Sequence, residues 1–120
     1  MATITEDYCS KDIYRLLLEK GFDGEIHTTF DKEGYTQASI TLQMAMKWLR
    51  EVHHLYIDVG FGNDYKGEFL YMGDIYDLTK DAIHAKYEPI IEADDYLSNN
   101  PKTYEEACES AIKYCLENLI

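Results

Sequence analysis

One spacing in the chain matches part of a metal-binding motif. Glu51 and His54 form an ExxH pair, which is half of a di-iron carboxylate site. Such a site needs a second ExxH pair and two further carboxylates on four long helices, whereas this chain has one pair and three convincing helical patterns. The adjacent His53 points away from His54 if the segment is extended. The pattern therefore predicts a solvated helix end, and no metal or other cofactor is expected.

Cysteine chemistry is a second possibility. Cys9, Cys108 and Cys115 contain no CxxC pair, and three thiols cannot all be paired within one chain. Cys108 and Cys115 are seven residues apart on a predicted helix and share a face. We therefore predict small buried hydrophobic residues in a reducing cytoplasm. The sequence also contains no phosphate-binding glycine loop, GxSxG or HExxH motif, so it favours a protein that is not an enzyme.

Composition favours binding over catalysis. The 23 acidic and 11 basic residues give a net charge of −12, and 11 of the 120 residues are tyrosine. Residues 64–95 hold nine acids and three bases, a net charge of −6, and several tyrosines lie in or beside this segment. Tyrosine is enriched at interfaces, and unbalanced acids steer basic partners. The simpler alternatives are that tyrosines cover a half-exposed sheet and that the acids promote solubility.

The sequence thus predicts a non-enzymatic interaction or accessory module that binds an unidentified protein partner or a second copy of itself. The predicted partner-binding residues are Tyr56, Tyr65, Tyr71, Tyr76, Asp74, Asp77 and Asp81. Direct nucleic-acid binding is not expected from so acidic a chain, and no apolar run approaches the roughly 18 residues of a membrane span. Two alternatives stay open: a DNA-mimicking inhibitor of a host nucleic-acid enzyme, and a small enzyme without a recognisable motif.

Three helices and a small antiparallel sheet must position these residues. Apolar periodicity predicts helices at about 6–20, 41–53 and 104–119. Alternation at Leu55, Ile57, Val59 and Phe61 predicts a strand with one buried face, which starts a hairpin at about 55–76; turn residues at 31–34 predict a shorter hairpin within 25–38. We predict a single α+β domain over residues 1–120, in which two or three helices cover one face of a sheet of three to five strands.

Three segments carry a resemblance to a known family. The runs TLQMAMKWLREVH (41–53) and TYEEACESAIKYCLENLI (103–120), with EKGFD (19–23), resemble a family of small uncharacterised acidic proteins on prophages and mobile elements of anaerobic gut bacteria. The resemblance covers about half of the chain and leaves out the segment from about 60 to 100. It implies a bacterial or phage cytoplasmic setting and an accessory role, and it assigns no catalytic residue.

Overall fold

The computed structural model describes residues 7–63, 66–79, 89–92 and 101–120, and these form an α+β fold, as predicted. The elements in chain order are α1 (Lys11–Glu19), β1 (His27–Phe30), β2 (Thr36–Ser39), α2 (Leu42–His53), β3 (Leu55–Asn63), β4 (Phe69–Asp77) and α3 (Tyr104–Tyr114), which continues as a π-helical turn (Cys115–Leu119). In the described part, the strands form two separate antiparallel pairs, β1–β2 and β3–β4, instead of one sheet of three to five strands.

The two hairpins also differ in polarity. The β1–β2 hairpin confirms the prediction for residues 25–38, and both of its faces are largely polar. Its turn is held by Asp31, whose Oδ1 accepts hydrogen bonds from the backbone N–H groups of Glu33 and Tyr35 at 3.0 and 2.9 Å. The β3–β4 hairpin is apolar on one face and packs on the helices.

The first helix begins at Lys11, so the predicted start at residue 6 is wrong. Residues 7–9 are extended instead, because Cys9 donates its N–H to Ile40 O and Asp7 O accepts from Leu42 N, both at 2.9 Å. The helix then starts at the side chain of Ser10, which accepts from Ile13 N at 3.4 Å. Periodicity alone does not distinguish a helical from an extended conformation at residues 7–9, since Cys9 is expected on the buried side in either case.

The central helix agrees closely with its prediction. Its buried residues are Leu42, Ala45, Met46, Trp48 and Leu49. Thr41 caps its start by accepting from Met44 N at 3.1 Å. At its end, His54 adopts a left-handed conformation with φ of 58° and donates its N–H to Leu49 O. This residue therefore turns the chain directly from α2 into β3.

The last helix begins and ends as predicted, although its final turn is π-helical. Thr103 accepts from Glu106 N at 3.1 Å, while the Glu106 carboxylate accepts from the backbone N–H of Lys102 at the same distance. The final turn, Cys115–Leu119, is π-helical. Leu116 is fully buried there, and it continues the 3.6-residue stripe of Cys108 and Ile112.

The main core lies between the helices and one face of the β3–β4 hairpin. Leu55 and Ile57 are buried and Val59 is half-buried, which confirms the predicted inward face for most of the strand. Phe61 was expected on the same buried face, but it is 72% exposed. Burial falls steadily along β3 because the helices cover only the end of the hairpin that follows α2.

Candidate protein-interaction surface

The register of the β3–β4 hairpin decides which predicted binding residues meet. Tyr56 lies opposite Tyr76, and Asp58 lies opposite Asp74. Residues two apart on a strand share a face, so all four point away from the core; we call them the Tyr/Asp patch. Asp58 was not among the predicted residues, although the alternation that places Ile57 inside already places Asp58 outside.

The exposed side of the Tyr/Asp patch is its β3 side. Tyr56 is 40% exposed and Asp58 is exposed, whereas Asp74 and Tyr76 are half-buried. The two tyrosine rings lie 6.4 Å apart between centroids with a tilt of 55°. Two adjacent tyrosines supply a large amphipathic contact area at low entropic cost, which suits a binding surface.

The Tyr/Asp patch is strongly negative. Asp58 and Asp74 are directly opposite, and such like-charged pairs destabilise a sheet by a few tenths to about 1 kcal/mol. The pKa of Tyr76 is raised by desolvation, then by the negative charges of Asp74, Asp58 and Glu92. No Lys or Arg occupies an outward position on either strand. The face therefore combines negative charge with accessible aromatic area.

Two other predicted binding residues lie on the core side. The Tyr71 ring meets the Tyr104 ring edge to face at 6.4 Å, and its backbone N–H donates to Pro101 O at 3.1 Å. Asp77 Oδ1 accepts from the backbone N–H and the hydroxyl of Thr79 at 2.9 and 2.6 Å. These contacts give Tyr71 and Asp77 structural roles, so they do not join the Tyr/Asp patch. Tyr65 and Asp81 lie outside the described residues.

An aromatic pair at the far end of the hairpin was missed by sequence reasoning. Phe61 and Phe69 are 72% and 68% exposed, and their ring centroids are 6.5 Å apart. Both lie on the core face, beyond the helices. Hydrophobic alternation cannot reveal this exposure, because it does not show where the covering helices end.

The described residues do not assemble a catalytic centre. His27 contacts Glu25 and Tyr8, His53 packs on Trp48, and His54 ends α2. All three thiols are free and buried, as predicted. A groove of about 340 Å³ between the start of α1 and α3 has neither histidine nor cysteine in its lining: Ser10, Asp12, Ile13, Pro101, Glu106, Glu109, Ser110 and Lys113.

Metal-ligating side chains are likewise dispersed. Within residues 7–63, 66–79, 89–92 and 101–120, no three His, Cys, Asp or Glu side chains are placed to hold a metal ion. On the outer face of the hairpin, the described carboxylates are one cross-strand pair. A DNA mimic needs carboxylates in longer rows at phosphate-like spacing, so this pair gives that alternative no specific support.

Comparison with known proteins adds no assignment. No protein-family model, curated protein or solved structure matches this chain. In the described part of the chain, every helix is too short or too polar to cross a membrane.

Proposed function

We propose that this chain is a non-enzymatic protein-interaction module that binds a basic protein partner through the Tyr/Asp patch. The observation that carries the proposal is the placement of Asp58 opposite Asp74 between two tyrosines. This arrangement places aromatic contact area beside two carboxylates. A basic partner would pair with the carboxylates and bury the rings.

The net charge of −12 supports the same proposal, because a negative field raises the association rate of a positively charged partner. The proposed setting is the bacterial or phage cytoplasm, with an accessory role on a mobile element. Three free, buried thiols are compatible with a reducing compartment.

Quantitative affinity capture from the native host tests the proposal. The wild-type chain is compared with the double variant Asp58→Asn/Asp74→Asn and with the control Glu33→Gln/Glu117→Gln, which removes the same charge from exposed sites elsewhere. We expect a basic protein to be retained by the wild type and the control and lost from the Asp variant.

Two results contradict the proposal. One is equal retention by all three chains, with crosslinks on the exposed face of α3 around Lys113 and Glu117 and no salt dependence. The other is a metabolite-dependent activity that requires neither aspartate.

A further inference from the structure

Among the described residues, no strand pairs with the outer edge of β3. Antiparallel neighbours exchange hydrogen bonds at alternate positions. Leu78 donates its N–H to His54 O at 2.8 Å, and this bond sets the phase: even-numbered residues of β3 bond to β4. The N–H and C=O groups of Ile57, Val59 and Phe61 therefore point to the other side.

The two edges of the hairpin differ in the backbone hydrogen bonds that they make. On the β4 edge, Tyr71 N donates to Pro101 O at 3.1 Å, and Ile75 N donates to Ile91 O at 2.9 Å. On the β3 edge, no backbone hydrogen bond reaches Val59 or Phe61 from the part of the chain that the structure describes. Edges of this kind bind extended peptides by adding a strand.

The accessible part of the β3 edge is its far half. Ile57 is buried beside α2, Val59 is half-buried, and Gly60 and Phe61 are exposed. A Cβ placed on Gly60 meets nothing within 4 Å. The outward face beside this edge therefore has open space next to Asp58, where a long side chain from an added strand fits.

The two faces beside the edge select different side chains. The outward face presents Asp58, with its cross-strand partner Asp74 behind it on β4, and attracts Lys or Arg. The core face presents Val59 and the exposed ring of Phe61, which an apolar side chain would cover. Because side chains of a strand alternate between faces, these preferences alternate along the added strand.

We propose that the β3 edge takes an extended segment of the basic partner, in which Lys or Arg alternates with apolar residues, as a third strand. This inference rests on the proposed function, since it assigns the partner's chemistry at the Tyr/Asp patch. Main-chain hydrogen bonds to Val59 and Phe61 supply affinity, and the alternation supplies register.

The probe is an acetylated, amidated peptide of alternating Lys and Val that matches the nine residues of β3. Its control has the same composition with all Lys residues in one block. We expect the alternating peptide to bind about tenfold more tightly, which corresponds to one or two correctly placed interactions. Amide hydrogen exchange of the wild-type chain should slow at Val59 and Phe61 when the peptide is bound.

Two substitutions separate the backbone from the side chain. Phe61→Ala removes the ring and keeps the outward N–H, whereas Phe61→Pro removes both and leaves the bonds to β4 intact, as proline does at strand edges. We expect Phe61→Pro to weaken peptide binding about tenfold beyond Phe61→Ala. If the proline variant does not fold, exchange protection in the wild type decides the question.

The outcomes distinguish this inference from the proposed function. Equal affinity for both peptides, lost with Asp58→Asn but without protection at Val59 and Phe61, overturns the added strand and leaves basic-partner binding standing. Protection at these amides in the free chain, dependent on its own concentration, shows a second copy at the edge and overturns the inference. If the wild-type chain binds neither of the two lysine-containing peptides, both the added strand and the proposed function are contradicted.

Discussion

The backbone N–H of Ser10 donates a hydrogen bond to Oε1 of Glu109 at 2.6 Å, across 99 positions of sequence. Ser10 caps α1, so the carboxylate lies at the positive end of that helix and satisfies one of the donors that a helix start leaves unpaired. Sequence periodicity places Glu109 on the solvated side of α3. In the structure it instead joins α3 to the beginning of α1.

Replacing Glu109 should therefore destabilise the fold more than replacing an exposed acid of the same helix. We expect Glu109→Ala to lower the free energy of unfolding by about 1–2 kcal/mol, because it removes a charge-assisted bond at a helix start. Glu109→Gln should cost less, since its amide oxygen still accepts. Chemical denaturation checks this, with Glu117→Gln as control, and equal midpoints for Glu109→Ala and the control would contradict it.

Substitutions on the buried face of α2 should cost much more stability than substitutions on its exposed face. Leu49 is fully buried and Trp48 nearly so, so either change to Ala should cost roughly 2–5 kcal/mol. Lys47 is exposed, and Lys47→Ala should stay within about 0.5 kcal/mol. Similar denaturation midpoints for the three variants would show that the assigned helix face is wrong.

His53 should be replaceable with a gain in stability. Its ring packs against Trp48 with centroids 4.6 Å apart, and its buried Nε2 has no hydrogen-bond partner among the described residues. His53→Phe keeps the aromatic contact and removes the buried polar atom, so we expect a gain of about 1 kcal/mol. Thermal unfolding measures this; His53→Ala, which loses the ring contact, is the comparison. A destabilised Phe variant would show that Nε2 has a partner.

The thiols should be unreactive in the folded chain and should make it sensitive to alkali. Burial raises the pKa of Cys115 from 9.0 to about 12. The folded-state pKa is thus above the unfolded one, so the contribution of Cys115 to stability is fully present below about pH 9 and falls by about 1.4 kcal/mol per pH unit above it. The raised pKa values of Cys9 and Cys108 act in the same direction. Urea midpoints from pH 7 to 10 should show this loss, with a shallower slope for Cys115→Ala. An equal slope, or rapid thiol alkylation at pH 8, would contradict it.

Local patterns were sufficient for much of the architecture. The apolar periodicity of α2 and α3 and the alternation of β3 each depend on neighbours in sequence, and each appears in the structure. The Tyr/Asp patch could be predicted only in part, because alternation shows which face of the hairpin Tyr56 occupies. Alternation does not give the register of the two strands, which brings Asp74 opposite Asp58.

Features that depend on distant contacts were not accessible from local patterns. The start of α1 is set by pairing of residues 7–9 with residues 40–42. Alternation places Tyr71 on the core face, but its packing on Tyr104 and its hydrogen bond to Pro101 depend on a distant part of the sequence. Phe61 is exposed because the helix cover ends before it. In each case the deciding partner lies 30 or more residues away, or is the edge of another element.

The binding kinetics should separate the two parts of the Tyr/Asp patch. The acids steer a basic partner, so the association rate constant should fall as salt rises, because the Debye length shortens from about 10 Å at 0.1 M to 3 Å at 1 M. Asp58→Asn/Asp74→Asn should slow association at low salt by about tenfold and weaken its salt dependence. Asp77 is unsuitable for this test despite its sequence position, because its carboxylate accepts hydrogen bonds from Thr79.

Tyr56→Ala should instead raise the dissociation rate constant about tenfold, since it removes buried contact rather than charge. Stopped-flow measurements with the captured partner give both rates, and an association rate that is independent of salt and of both aspartates would refute electrostatic steering by the patch.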